Sequence, residues 1–322
     1  MALGGFFTNF APLFTSPSMT IHRLPLLRYL PLLALLATAC TAPRTFTSSG
    51  KVTPRGEFRV GGNTAFNVAT STLDQAGSTL KDAASAAARK DTVQYSAAVD
   101  RLQAAALAYV LDPVQPTADL YVRYGVTDRV DAGYKYAFGS HVFDAMYQFM
   151  GPTGTPESPG GQAGAMYGSI GLQFATQRAK LPNLPFLDNI ADVLSFRANR
   201  NDLIVPLVFS KSFGPEEEIG ALSFGVVYTH TFVRYGFDSN KVYQIGTNNL
   251  LAGLSQKQDF GSYGGFINAK IGYRYAYIIP AVSVFYQNYG TYQLLNNRST
   301  TLKGVTIVPS IGLQFRIPGS RR

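Results

Sequence analysis

Val130-Asp131-Ala132-Gly133-Tyr134-Lys135-Tyr136-Ala137-Phe138 is the stretch on which the reading of this chain turns. Successive side chains of an extended strand point to opposite faces. Val130, Ala132, Tyr134, Tyr136 and Phe138 therefore share one face, against Asp131, Gly133, Lys135 and Ala137 on the other. A helix would scatter the same residues around its circumference. The pattern recurs on both sides. Residues 118–126 set Leu120, Val122, Tyr124 and Val126 against Asp119, Tyr121, Arg123 and Gly125. Residues 142–150 set Phe143, Ala145, Tyr147 and Phe149 against Asp144, Met146 and Gln148. Further on, Ile267, Ala269, Ile271, Tyr273 and Tyr275 oppose Asn268, Lys270, Gly272 and Arg274. At the end, Val305, Ile307, Pro309, Ile311, Leu313, Phe315 and Ile317 oppose Thr306, Val308, Ser310, Gly312, Gln314 and Arg316.

A soluble sandwich would also alternate, so composition has to decide. The 322 residues include 22 Phe, 19 Tyr, 31 Gly and no Trp, and only 15% are charged, where soluble domains carry about 25%. Beyond residue 40 there is no run of roughly 20 apolar residues to make a membrane-spanning helix. The strands are long, and their apolar face is crowded with the Tyr and Phe of interfacial girdles. The strand architecture that satisfies every backbone group in lipid is a closed barrel. The fold expected is all-β: an antiparallel transmembrane β-barrel of about ten strands, with eight and twelve as bounds.

The ten strands fall at 57–69, 117–126, 129–138, 141–150, 164–176, 202–213, 219–235, 261–275, 278–290 and 304–317. Connection lengths mostly alternate long and short, as loops and turns do in such barrels. Long ones fall at 70–116, 177–201, 236–260 and 291–303, and short ones at Thr127-Asp128, 214–218 and Tyr277. Gly139-Ser140 and residues 151–163 break the parity. Residues 71–111 interrupt the alternation. Two helix-start patterns, at Ser71 and Asp91, and a stripe of Tyr95, Val99, Leu102, Ala106 and Tyr109 predict an Ala-rich helical hairpin there, a lid or a plug.

The N-terminus carries an export pattern: His22, Arg23 and Arg28, then the apolar run from Leu30 to Ala39, then Cys40, the single cysteine. The run resembles the lipobox of bacterial lipoproteins, with Ala37 where that family prefers Leu. The resemblance implies that 1–39 is a signal peptide, with Met19 a second candidate start, and that Cys40 is acylated. Thr41, rather than Asp, then implies sorting to the outer membrane. Residues 40–55 are expected as a lipidated linker, 56–317 as the barrel with its 71–111 insert, and 318–322 as a tail. The last strand resembles the outer-membrane insertion signal read by the barrel assembly machinery, through Ser310, Gly312, Phe315 and Ile317. Together these resemblances imply an outer-membrane barrel lipoprotein of a Gram-negative bacterium.

Function follows at class level. Arg59, Asp119, Arg123, Asp131, Lys135, Asp144, Lys270, Arg274 and Arg316 are the candidates to line the lumen. Paired, they fill a structural barrel. As a net positive wall, with Lys270, Arg274 and Arg316 as filter, they would pass small hydrophilic or anionic solutes. The alternative is an accessory or assembly barrel holding a partner protein. A surface lipid hydrolase or protease at His230, with Ser223 or Thr229 beside it, ranks below both, and an enzyme is not expected. No cofactor or metal is expected: Glu216-Glu217-Glu218 reads as a solvated turn, and Gly160-Gly161 as loop punctuation. The net charge of +9 is too scattered along the chain to suggest nucleic acid. The expected partners are outer-membrane lipids and the phosphates of surface lipopolysaccharide, met by Arg178, Lys180, Arg197, Arg200, Lys241, Lys257, Arg298 and Lys303.

Overall fold

The computed structural model describes residues 44–319 except 71–92, 95–99, 101–102, 105–106, 109–110, 138, 181–193, 240–241, 244–248 and 251. In chain order the strands are β1 (Phe58–Ala69), β2 (Val93–Gln94), β3 (Gln115–Gly125), β4 (Val130–Ala137), β5 (Ser140–Met150) and β6 (Met166–Lys180). There follow β7 (Leu194–Phe213), β8 (Gly220–Ser239), β9 (Val242–Tyr243), β10 (Leu254–Tyr273), β11 (Ala276–Gln293) and β12 (Ser299–Ile317). The closed barrel runs β1-β12-β11-β10-β8-β7-β6-β5-β4-β3. Every pair in it is antiparallel, and β1 closes the ring by pairing with both β3 and β12. The ring itself therefore has no open strand edge, which lipid requires.

The alternation places apolar side chains outside and polar ones inside, the reverse of a soluble protein. Leu120 is 62% exposed, whereas Gln287 is fully buried. Exposed aromatics ring both ends of the wall: Phe58, Tyr124, Phe149, Phe213, Tyr273 and Phe315 at one, Phe174, Tyr228, Phe232, Tyr263 and Tyr286 at the other. These are the girdles of a bilayer-spanning barrel. The first ring lies at the turn end, where 126–129, 214–219 and Arg274-Tyr275 join strands; the second lies toward the loop end.

The wall is uneven. β3, β4 and β5 have 11, 8 and 11 residues, while β7, β8 and β10 have 20 each. The additional length lies at the loop end and exceeds the strands expected from the sequence. Outward residues there, such as Asn199, Arg234 and Lys257, are polar, so the apolar period stops while the backbone pairing continues. The last tight turn falls at Arg274-Tyr275, and Tyr277 is already in β11.

The expected helical hairpin is not supported. Val93 and Gln94, placed at the start of its second arm, instead pair in parallel with Val242 and Tyr243. The predicted stripe of Tyr95, Val99, Leu102, Ala106 and Tyr109 lies outside the described residues. What is described has helical backbone at 100, 103–104, 107–108 and 111, and buries Gln103, Leu107, Ala108 and Leu111. Leu107, Ala108 and Leu111 pack with Tyr235, Phe237, Phe260, Tyr289, Tyr292 and Leu302 in an apolar cluster toward the loop end.

The stretch expected as a linker is the second correction. Residues 44–54 lie inside the barrel as an extended strap, buried except for half-buried Ser48. Phe46 and Val52 join inward Val142, Met146, Ile204, Val208, Phe266 and Phe285 in a second cluster. The reason is geometric. A ten-stranded ring is too wide for its inward side chains alone to meet across it, so a further segment fills the centre.

Candidate functional site: the occluded lumen

The strap runs from the level of Asp112 and Gln287 at the loop end down to Gly125 at the turn end. It has no sheet partner along most of this path, so wall side chains satisfy its backbone. Ser210 Oγ accepts from Gly50 N at 3.0 Å, Gln148 Oε1 from Val52 N at 3.2 Å, and Asp131 Oδ2 from Thr53 N at 2.7 Å. Asn268 Nδ2 donates to Ser48 O at 3.0 Å, and Arg59 donates to Lys51 O and Val52 O at 2.8 and 3.2 Å. Two glycines make room. A Cβ on Gly50 would lie 2.6 Å from Tyr167 O, and one on Gly125 only 1.9 Å from Pro54 O.

At the turn end Arg316 is clamped between two carboxylates. Its Nε and Nη2 donate to Glu57 at 2.7 and 2.6 Å, and its Nη1 and Nη2 to Glu157 at 3.0 and 2.6 Å. Hydrogen bonding from Arg316 holds the Glu157 carboxyl down at about 2. Glu157 belongs to the 151–165 connection, which folds under the barrel. Gly154 O from the same connection accepts from Lys51 Nζ at 3.0 Å, and Gly160 N donates to Glu216 at 2.9 Å.

Glu216 and Glu217 correct the solvated-turn reading. They are 3% and 1% exposed. Positive φ angles of 53° and 62°, disfavoured for residues other than glycine, fold both carboxylates back into the lumen. Glu216 pairs with Lys51, and Glu217 with Lys270. Ser49 Oγ and Ser210 Oγ also donate to Glu217, at 3.0 and 3.2 Å. Burial pushes the Glu217 carboxyl up, but Lys270, Arg59 and Lys51 outweigh it and hold the group below the ordinary carboxylate range.

Midway, Arg123 bridges Asp131 and Asp144. Asp119 accepts from Asn63 at 2.6 Å and lies 3.9 Å from Lys135, which also donates to Thr45 O at 3.1 Å. Higher still, Asp112 gathers Arg44, Thr306, Asn67 at 2.6 Å, Gln287 at 3.0 Å and Tyr289 at 2.7 Å. Beside it Arg200 holds Asp202 at 2.9 and 3.0 Å and donates to Leu111 O at 2.9 Å. Beside the strap a cavity of ≈ 40 Å³ remains, lined by Phe46, Tyr121, Arg123, Asp144, Met146 and Gln173, room for one or two waters.

Of the residues proposed from sequence, Arg59, Asp119, Arg123, Asp131, Lys135, Asp144, Lys270 and Arg316 face this interior. Arg274 does not. It occupies the tight turn with φ 49°, and its half-exposed side chain pairs with Glu218 at 2.5 Å. Sequence reasoning missed Arg44, Lys51, Asp112, Glu157, Glu216 and Glu217, which sit on connections without a period, and also Glu57, which shares the parity of Arg59 on the first expected strand. Arg200 and Asp202 share a parity on β7 and could have been found. In the terminal octet, Ser310 and Gly312 turn inward while Phe315 and Ile317 face out. Cys40 lies outside the described residues.

The proposed hydrolase pair is not assembled. His230 lies on the outer face of β8, whereas Ser223 and Thr229 are buried on its inner face. His230 Nε2 is 3.5 Å from Asp259, itself 66% exposed on the outer wall. No group of three His, Cys, Asp or Glu that could hold a metal occurs among the described residues.

Fold and lumen together define a class: a closed ten-stranded antiparallel barrel of the bilayer-spanning kind, with a filled interior. Among solved structures, the chain is similar to Ail, the attachment invasion locus protein of Yersinia pestis, at 11% identity over 81% of this chain and 99% of that one, with a TM-score of 0.28. It is similar also to the outer membrane protein OprG from Pseudomonas aeruginosa, at 11% identity over 84% and 99%, TM-score 0.28. A third is the CymD monoaromatic hydrocarbon channel, at 8% identity over 81% and 88%, TM-score 0.24. No family model and no curated protein sequence matches.

Proposed function

We propose that this chain is an outer-membrane barrel whose lumen is shut by its own strap, a structural barrel at rest and a narrow path for small hydrophilic solutes only when the strap is displaced. The observation that carries this reading is the strap itself. Residues 44–54 occupy the axis of the lumen, and their cations are paired with wall carboxylates at both ends, Arg44 with Asp112 and Lys51 with Glu216.

An anion-selective path finds no support in the geometry. Lys270 and Arg316 already face Glu217 and Glu57. Displacing the strap would remove Arg44 and Lys51 and leave Asp112 and Glu216 uncompensated, so an opened lumen should favour cations. The test is planar-bilayer conductance of the intact protein against a variant in which 44–53 is replaced by a Gly-Ser sequence of equal length. Silence in the intact protein and a small cation-selective current in the variant are expected. Current through the intact protein would refute the plug. Silence in a variant shown to be folded by heat-modifiable migration would leave a purely structural barrel.

A further inference from the structure

On the outer wall, two like charges stand side by side. Register pairs Arg178 with Asn199, Asn199 with Arg234, and Arg234 with Lys257, so one row crosses β6, β7, β8 and β10. Adjacent strands lie about 4.8 Å apart, and like charges directly opposite each other destabilise a sheet. Neither Arg234 nor Lys257 has an ion-pair partner among the described residues. A neighbouring basic residue, Arg197, is by contrast paired with Asp238, and Arg200 of the expected surface set points into the lumen. The row borders a hollow of ≈ 650 Å³ that Asn199 and Asn201 also line. The next row toward the turn end carries exposed Phe232. Asp259 shares that row but is already turned to His230.

We infer that Arg234 and Lys257, with the Asn199 and Asn201 amides, bind the phosphate of an outer-leaflet lipid whose acyl chains lie along Phe232 and Phe174. The aromatic ring sits at headgroup depth, so the cations just above it stand at phosphate level. An anion between Arg234 and Lys257 turns their mutual repulsion into two charge-assisted contacts. The apolar residues directly beneath distinguish a lipid from free phosphate. This inference rests on the bilayer-spanning reading and not on the plugged lumen, so the conductance result does not bear on it.

The experiment compares binding of a phosphorylated diglucosamine glycolipid and its dephosphorylated form to the full-length protein in mixed micelles. The native protein should prefer the phosphorylated lipid about twenty-five-fold, from a factor of five for each of the two facing cations. R234E/K257E should lose that preference, while K211E, on the outer wall at the opposite, turn end, should keep it. In phosphate-free detergent, Arg234→Gln should raise the melting temperature, because it removes the repulsion; this readout is independent of binding. Equal affinity for the two lipids would overturn the site, as would an undiminished preference in a folded R234E/K257E. Competition by inorganic phosphate at the lipid's own concentration would reassign it to a free anion.

Discussion

The two halves of the lumen are filled by opposite means. Toward the turn end the strap is fixed by charge, through Lys51 with Glu216 and the nearby clamp of Arg316. Toward the loop end, beyond the Arg44–Asp112 pair, the filling is mainly apolar, with Tyr235, Phe237, Phe260, Tyr289 and Leu302 packed on Leu107 and Leu111. A buried ion-pair network fails abruptly when one member is removed, because a charge is left without a partner. An apolar cluster fails by degrees, with the volume deleted. The turn end should therefore be the more brittle lock and the loop end the more forgiving.

Substitutions at the two ends test that contrast. Glu217→Leu leaves Lys270 buried beside Lys51 and Arg59 and should cost about 3–5 kcal/mol, read as a lower urea midpoint for the refolded barrel. Leu302→Ala at the other end should cost about 2–4 kcal/mol in the same assay. If it costs more than Glu217→Leu, the comparison is reversed. Acid gives a finer probe. Glu157 falls from an ordinary value of 4.5 to about 2 in the folded chain. Its stabilisation is thus complete above about 4.5 and lost as pH falls toward about 2. Glu157→Gln should flatten the loss of stability in that window, and an unchanged acid profile would show that the clamp adds nothing. Asp259→Asn, on the exposed wall, should stay within about 0.5 kcal/mol.

The wall was legible and the filling was not. Lipid on one side and polar lumen on the other impose strict alternation, so residues 130–137 and 305–317 announced their strands and the facing of Asp131, Lys135 and Arg316. Above the lipid that constraint ends, which is why β7, β8 and β10 outran their expected bounds. Thr45-Phe46-Thr47-Ser48-Ser49-Gly50 has no period and reads as a linker, because its role is set by the cavity around it. Glu216 and Glu217 were misread for a related reason. Their inward aim depends on two positive φ angles, and nothing in a run of three glutamates signals that.

Gly56 hands the strap to β1 with almost no intervening chain, and β1 is the strand that closes the ring. A stopper tethered so closely keeps an effective concentration on the order of millimolar or higher. The displacement proposed above should therefore be reversible without any outside factor. Whatever opens the lumen would have to hold the strap away continuously, and on its release the barrel would reseal.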